Sequence, residues 1–351
     1  MRVRELVRSI VTNYPLVDKV FSPLRHITHK FINWFEYRII FSRSMKLNLE
    51  LIKGAEIQHI GGVLAFMTVK NEVSRLPLCL DHHRRIGVKE FFIVDNYSND
   101  GTYEYLLQQA DVTLLRANES YRDAFYGITW VNHLIHTHAM NRWALFIDAD
   151  ELLYFEGMDQ EQSINNLVRR LDENYQSYFY APMIDLYAFD DDRISGSLSI
   201  TQKYQELSNA LHDVGSYKSG KKLTNEMFAL NGGPRARLLE NQATKPNLVK
   251  FPLIKINKKT AYIGSSHEFY PRRSEIHTVH GWLVHLKLGD KAHKFHSDPE
   301  IEKEHYGAGI ERKIIANGAA HELRKGDPEA VNFSGLDSLK LLSAAIKGEL
   351  R

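Results

Sequence analysis

Asp148 and Asp150 stand one residue apart in Phe146-Ile-Asp-Ala-Asp-Glu-Leu152, directly after the apolar run Trp143-Ala-Leu-Phe-Ile147. Two carboxylates at the point where a buried strand runs out can reach a hard cation, Mn²⁺ or Mg²⁺, and leave coordination positions open for phosphate oxygens. A cation held there acts as a Lewis acid, neutralising charge that develops on a departing phosphate. Acidic residues after a strand also cap helices or simply face water. The buried run immediately before this pair is what favours the cation.

A second polar stretch, Asp95-Asn-Tyr-Ser-Asn-Asp-Gly-Thr102, follows Phe91-Phe-Ile-Val94 in the same way. The Asp95 carboxylate could accept from a nucleobase N–H or from ribose hydroxyls. Asn, Ser, Asp and Gly are equally what a tight turn uses. Arg235 and Arg237 could clamp phosphate with their planar guanidinium groups, or pair with carboxylates such as Glu240. Asp81-His82-His83 copies a metal-binding triplet but lies inside an amphipathic helical pattern. Of His133, His136 and His138, only the first two are spaced to share a metal on one helix face.

The elements that must position these groups alternate apolar runs with helical periodicity, the pattern of a parallel sheet wrapped by helices. Gly62–Val69, Phe91–Val94, Val112–Leu115 and Trp143–Ile147 read as strands. Helices fit residues 73–86, from about Thr102, 122–141 and 160–173. Ligands of open parallel sheets bind outside the carboxyl ends of the strands, where Asp95 and Asp148 both fall. Tyr178–Tyr187, Val249–Ile263 and Ile276–Val284 read as later strands. Residues 190–245 form a long polar interval, and the segment beyond Pro299 reads as a charged helical tail.

A length of 351 residues with 43% hydrophobic and 25% charged composition is that of a globular chain able to bury a large core. The formal net charge of +2 gives no case for nucleic-acid binding. The basic excess is confined to residues 1–53, which carry ten Lys/Arg against four Asp/Glu. There Phe31, Trp34, Phe35, Arg38 and Ile39 are spaced so that aromatics and cations could share a membrane interface; the competing reading is a helix packed on the main domain. The longest early apolar stretch is broken by Asn33, Glu36 and Arg38, which argues against a membrane span, and no secretory leader is evident. The one cysteine, Cys79, excludes an internal disulfide.

Taken in order, Thr68-Val-Lys-Asn-Glu72, Leu80-Asp-His-His-Arg84 with Gly87, Asp95 to Thr102 and Phe146 to Leu152 resemble the motif series of family 2 glycosyltransferases. The series is similar to the bacterial branch with Lys-Asn-Glu after the first strand. It continues through Asn231-Gly-Gly-Pro-Arg235, Lys250-x-Pro-Leu-Ile254, Ser265-Ser-His267 and Leu283-Val-His-Leu-Lys287. The resemblance implies a GT-A fold, a Rossmann-like α/β domain with a mostly parallel sheet flanked by helices. It would span residues 55–298, between a basic helical arm (1–54) and a helical tail (299–351).

The resemblance also implies an activity: transfer of a sugar from a nucleoside-diphosphate donor, a UDP-sugar first, to a saccharide or lipid-linked acceptor, with inversion and with Mn²⁺ or Mg²⁺. Such enzymes build cell-surface polysaccharide or lipopolysaccharide, here in the cytoplasm or peripherally at the inner membrane face. Lys70, Asn71, Glu72, Asp95, Asp148 and Arg235 would line the donor site. Asp148 and Asp150 would hold the metal together with a late histidine, His285 first and His267 second. An inverting transfer needs a general base, for which Asp185 and Glu268 are the contenders. Two alternatives stand beside this reading: a non-catalytic nucleotide or carbohydrate binder, and a nucleotidyltransferase. The latter calls for a glycine-rich loop that Val69-Lys-Asn-Glu72 lacks.

Overall fold

Apolar runs that read as continuous strands form the centre of the fold in the computed structural model of the chain. It describes residues 25–55, 61–160, 163–196, 198–221, 228–238, 247–271, 281–289, 323 and 330–349. The first half runs α1 (Arg25–Ser44), β1 (Glu50–Lys53), β2 (Leu64–Val69), α2 (Leu76–Arg85), β3 (Glu90–Asp95), α3 (Thr102–Leu107), β4 (Val112–Arg116), α4 (Ile128–His138) and β5 (Trp143–Phe146). Then come β6 (Glu151–Phe155), α5 (Ser163–Glu173), β7 (Tyr178–Tyr187), α6 (Asp191–Ser195), α7 (Ile200–Leu207), β8 (Leu211–Asp213), β9 (Lys218–Lys221), β10 (Phe228–Asn231) and α8 (Gly233–Leu238). The chain ends with β11 (Val249–Lys255), β12 (Ala261–Tyr262), β13 (Phe269–Tyr270), β14 (Gly281–Leu288), β15 (Ala330–Asn332) and α9 (Leu336–Glu349).

The main sheet has the order β1-β4-β3-β2-β5-β11-β7-β14-β6, with β8 pairing β7 and β15 pairing β8. Strands β4, β3, β2 and β5 are mutually parallel and buried on both faces, as their unbroken apolar composition requires. The α/β arrangement expected from the alternation is therefore what forms. From the second half, β11 inserts antiparallel between β5 and β7, and β14 runs parallel to β7 and antiparallel to β6. The four carboxyl ends of the parallel block and the middle of β14 consequently converge on one region.

Several elements depart from the sequence reading for local reasons. The helix expected over 122–141 begins only at Ile128, because Phe125, Tyr126 and Gly127 all take positive φ (54°, 58° and 74°) and cannot continue a right-handed turn. The strand expected over 249–263 stops at Lys255, where Asn257 accepts from Lys259 N at 2.9 Å and from Thr260 N at 3.0 Å and closes a turn. Glu151–Phe155, a stretch to which the sequence reading assigned no element, is a fully buried strand. The interval 190–245 contains helices and short strands among its described residues. Of the strand expected over Ile276–Val284, residues 276–280 lie outside the described residues, as does Glu240; the strand that forms is β14, with His285 inside it.

Candidate functional site

β5 ends at Phe146, and Asp148 through Asp150 make the tight turn into β6 at the carboxyl edge of the parallel block. Each carboxylate of the motif has a different partner. Asp150 Oδ2 lies 3.2 Å from His285 Nε2, and its backbone oxygen accepts from Leu286 N at 2.8 Å, so β14 holds this residue through both side chain and main chain. Asp148 Oδ2 accepts from Lys250 Nζ at 3.0 Å. Glu151, fully buried opposite His285 in the β6–β14 register, also bonds Lys250, and its Oε2 accepts from Asp148 N at 3.1 Å.

His285 is held from its other side. Its Nδ1 lies 2.6 Å from Asp185 Oδ1, a residue directly opposite it in the β7–β14 register. Asp185 is 1% exposed and also takes a two-point contact from Arg235 of α8, Nε to Oδ2 at 3.1 Å and Nη2 to Oδ1. Burial would raise the Asp185 carboxyl, but Arg235 and His285 outweigh it and hold it far below the usual carboxylate range. The same contest holds Asp150 well below that range, with His285 and Arg75 prevailing over burial. Burial opposes a charge on His285, yet Asp150 and Asp185 raise its pKa above the ordinary histidine value.

Glu151 differs from its neighbours: burial dominates and pushes it up to about 6, although Lys250 pulls the other way. Lys250 rises above the ordinary lysine value because Asp148 and Glu151 overcome its burial. Its position follows from the chain. Pro252 has no N–H to give the ladder, the β11–β7 register shifts between Lys250 and Leu253, and Phe251 N donates instead to Ser266 O at 2.6 Å.

The loop after β2 is stitched to the loop after β3. Asn71 N donates to Ser98 Oγ and Asn71 Oδ1 accepts from Asn99 N, both at 2.9 Å; Glu72 N donates to Thr102 Oγ1 at 2.8 Å. Lys70 is exposed beside them. Asp95 is fully buried, accepting from Ser98 N at 3.2 Å and facing Arg116 Nε at 3.5 Å, while the Arg116 guanidinium lies 4.7 Å from the Tyr97 ring centre and 3.9 Å from that of Tyr103. Arg75 connects this loop pair to the carboxylate motif, its Nη1 being 3.7 Å from both Glu72 Oε2 and Asp150 Oδ2.

Of the sequence-derived residues, the structure thus brings Asp148, Asp150, Asp185, Arg235 and His285 into one connected group, with Glu72 reached through Arg75. His267 Nδ1 is bound to Val249 O at 2.8 Å, and buried Glu268 sits in the β12–β13 turn, its backbone oxygen accepting from Ile263 N. Asp185 has the surroundings of an anchor for His285, and a carboxylate held so strongly ionised is a poor proton acceptor. Arg235 spends its fork on that carboxylate, and Arg237 donates to Asp213 at 2.8 Å, so both pair with acids. Lys250 and Arg75 were missed as site residues. The available signal for Lys250 was a lone lysine inside the apolar run Leu248 to Ile254, a placement that demands paired carboxylates.

Among the described residues no group of three or more His, Cys, Asp and Glu is arranged to hold a metal ion. A cation that keeps most of its shell for phosphate and water needs fewer protein ligands, and Mg²⁺ is commonly bound by one or two carboxylates plus substrate phosphates. Asp150 supplies one such carboxylate; His285 Nε2, now paired with it, could add a nitrogen ligand to Mn²⁺ only after giving up its proton. The second nitrogen of His285 is fixed by a carboxylate, the usual support for a metal-binding imidazole.

No family model matches the chain, and no curated protein sequence matches it. Among solved structures, residues 1–349 of TarS from S. aureus align over 81% of this chain and 78% of that one, with 9% identity and a TM-score of 0.27. The mannosyltransferase PcManGT from Pyrobaculum calidifontis, in complex with GDP-Man and Mn²⁺, aligns over 93% and 86%, with 13% identity and a TM-score of 0.32. A putative glucose-1-phosphate thymidylyltransferase from Bacillus anthracis, in complex with a sucrose, aligns over 81% and 95%, with 10% identity and a TM-score of 0.28. None of the three lends a role to a residue of this chain.

Proposed function

We propose that the chain is a divalent-metal-dependent glycosyltransferase of GT-A type whose catalytic domain spans residues 55–298. It transfers a sugar from a nucleoside-diphosphate donor, a UDP-sugar first, to a saccharide or lipid-linked acceptor with inversion, in cytoplasmic assembly of cell-surface polysaccharide or lipopolysaccharide. The observation that carries this reading is the series Asp185–His285–Asp150, in which a carboxylate orients an imidazole whose other nitrogen meets a second carboxylate at 3.2 Å.

In this reading Asp150 and His285 would hold Mn²⁺ or Mg²⁺ once their mutual contact opens and His285 loses its proton, and the cation would supply Lewis-acid neutralisation of the leaving diphosphate. Asp185 and Arg235 fix the His285 ring. Lys250 compensates the charge of Asp148 and Glu151, and Asp148, whose side chain keeps 40% of its surface exposed, has oxygen to offer a ribose hydroxyl. Lys70, Asn71, Glu72 and Asp95 frame the nucleotide side. With Asp185 committed to Arg235 and His285, Glu268 is the remaining contender for the base that accepts the acceptor proton.

The test is a donor panel. Purified protein with and without Mn²⁺ is given UDP-, GDP- and dTDP-sugars, and released nucleoside diphosphate is measured. Metal-dependent release from one donor class is expected. Binding of a donor without any release would favour the non-catalytic reading, and pyrophosphate formation from a sugar phosphate and a nucleoside triphosphate would favour nucleotidyl transfer.

A further inference from the structure

Helix α1 is apolar on two sides: Tyr37, Ile40 and Phe41 pack on the core, and a second apolar group faces outward. Between residues 33 and 46, Asn33, Glu36, Tyr37, Ile40 and Ser44 are buried. Trp34, Phe35, Ile39 and Met45 are 43%, 41%, 39% and 42% exposed. A helix that only covered a core would turn these four inward and the asparagine and glutamate outward.

The seating of the helix is specific. Tyr37 stacks on Tyr270 with ring centres 4.5 Å apart, Phe41 meets His136 edge-on at 4.9 Å, and His133 Nδ1 lies 3.0 Å from Ser44 O. The outward face is therefore fixed by the packing beneath it.

Charge identifies what that face meets. Arg38 and Lys46 are exposed among the four apolar side chains, Arg43 is exposed and paired with Glu119, and no exposed residue from 33 to 46 is acidic. The basic excess of the chain lies in residues 1–53, and residues 33–46 contribute three Lys/Arg against one Asp/Glu to it. Protein interfaces are also enriched in Trp, Phe, Met and Arg, but they are depleted in Lys, and a one-signed cationic rim calls for an anionic partner. Aromatic residues interleaved with cations match instead the boundary between lipid headgroups and acyl chains. No helix among the described residues is long and apolar enough to cross a membrane, so such contact lies in the interface plane.

We propose that the outer face of α1 docks on an anionic lipid bilayer, with Trp34, Phe35, Ile39 and Met45 entering the headgroup boundary and Arg38 and Lys46 meeting lipid phosphates. The seat on Tyr270 joins this face to the β12–β13 turn that carries His267 and Glu268, so the bilayer would lie on the side of the molecule where those residues are held. The inference stands independently of sugar transfer, and its test reads no enzymatic activity.

The full-length protein is mixed with phosphatidylcholine vesicles, either alone or with one third phosphatidylglycerol, and pelleted. Binding to the anionic vesicles only is expected. The chain has four tryptophans, and the other three, Trp130, Trp143 and Trp282, are buried, so Trp34 reports the contact. Its emission should shift blue and be quenched by brominated lipid, and both signals should vanish in Trp34→Phe. Neutralising Arg38 and Lys46 to Gln should lower partitioning roughly 25-fold, about five-fold per cation. The triple change Trp34→Ala, Phe35→Ala, Ile39→Ala should abolish pelleting with the melting temperature unchanged. Should that variant fail to fold, the brominated-lipid quench of the unaltered protein decides. Absence of pelleting, pelleting without Trp34 quenching, or a concentration-dependent dimer that the triple variant dissolves would each overturn the proposal.

Discussion

Asp150 Oδ2 and His285 Nε2 face each other across 3.2 Å, one on the turn entering β6 and the other in the middle of β14. At that distance the two side chains form a direct ion pair, which a cation bound between them would replace. Asp150→Asn is expected to lower kcat by two to three orders of magnitude, about the loss seen when one group stabilising transition-state charge is removed. His285→Ala should raise the Mn²⁺ concentration needed for half-maximal nucleotide release. A Mn²⁺ titration of both variants checks this; an unchanged half-saturation point in His285→Ala would remove the histidine from the metal shell.

Asp185 supports the site in two separable ways. Asp185→Asn keeps the shape but weakens the hold on His285 Nδ1, and a supporting residue of this kind typically costs ten- to a hundred-fold in metal affinity. Asp185→Ala strands the 4% exposed Arg235 without its two-point partner, and breaking such a buried pair costs about 3–5 kcal/mol. Urea denaturation should therefore distinguish the alanine variant sharply from the asparagine one. Equal stabilities would mean that Arg235 finds another acceptor.

The parallel centre of the fold was legible because β2, β3, β4 and β5 are buried on both faces and so read as unbroken apolar runs ending in polar turns. The placement of Asp148 and Asp150 at the end of β5 was legible for a related reason, as polar residues abutting such a run, whereas His285 was named through the motif resemblance and lies inside β14. What did not show was pairing between distant strands. That Lys250 of β11 reaches Glu151, and that Arg235 of a six-residue helix reaches Asp185, depends on β11 and β14 inserting into the sheet far from their sequence neighbours. The pairing of Asp185 with Arg235 was hidden on the same account: in the sequence the carboxylate stands in an apolar run with no guanidinium near it.

Lys250 and Glu151 form a buried pair whose value should appear only in combination. Lys250→Met leaves Glu151 fully buried without its cation and is expected to destabilise the protein by roughly 3 kcal/mol at neutral pH. In Lys250→Met with Glu151→Gln, no buried charge is left unpaired between these two positions, and most of that loss should return. The double-mutant cycle, measured by denaturant unfolding, is predicted to show strong coupling. Additive losses would mean that Asp148, which also bonds Lys250, is its dominant partner.

His82 and His83 are the histidines lowered furthest by burial, with His136, His138 and His212 lowered in the same direction, so acid should destabilise the fold. Burial in α2 lowers them to about 4 and about 3, while His82 Nε2 donates to Leu153 O and His83 Nδ1 to Cys79 O, each at 2.8 Å. Both folded-state values lie below the ordinary 6.5, so between about pH 6.5 and 4 the unfolded chain binds more protons than the folded one. The stabilising contribution is therefore complete above pH 6.5. As pH falls through that window it is lost, at about 1.4 kcal/mol per unit for each fully shifted histidine. Urea midpoints at several pH values between 7 and 4.5 should fall accordingly, and His83→Leu should make that fall shallower. A midpoint in His83→Leu that falls as steeply as in the unaltered protein would show that other groups, not this buried pair, govern the acid transition.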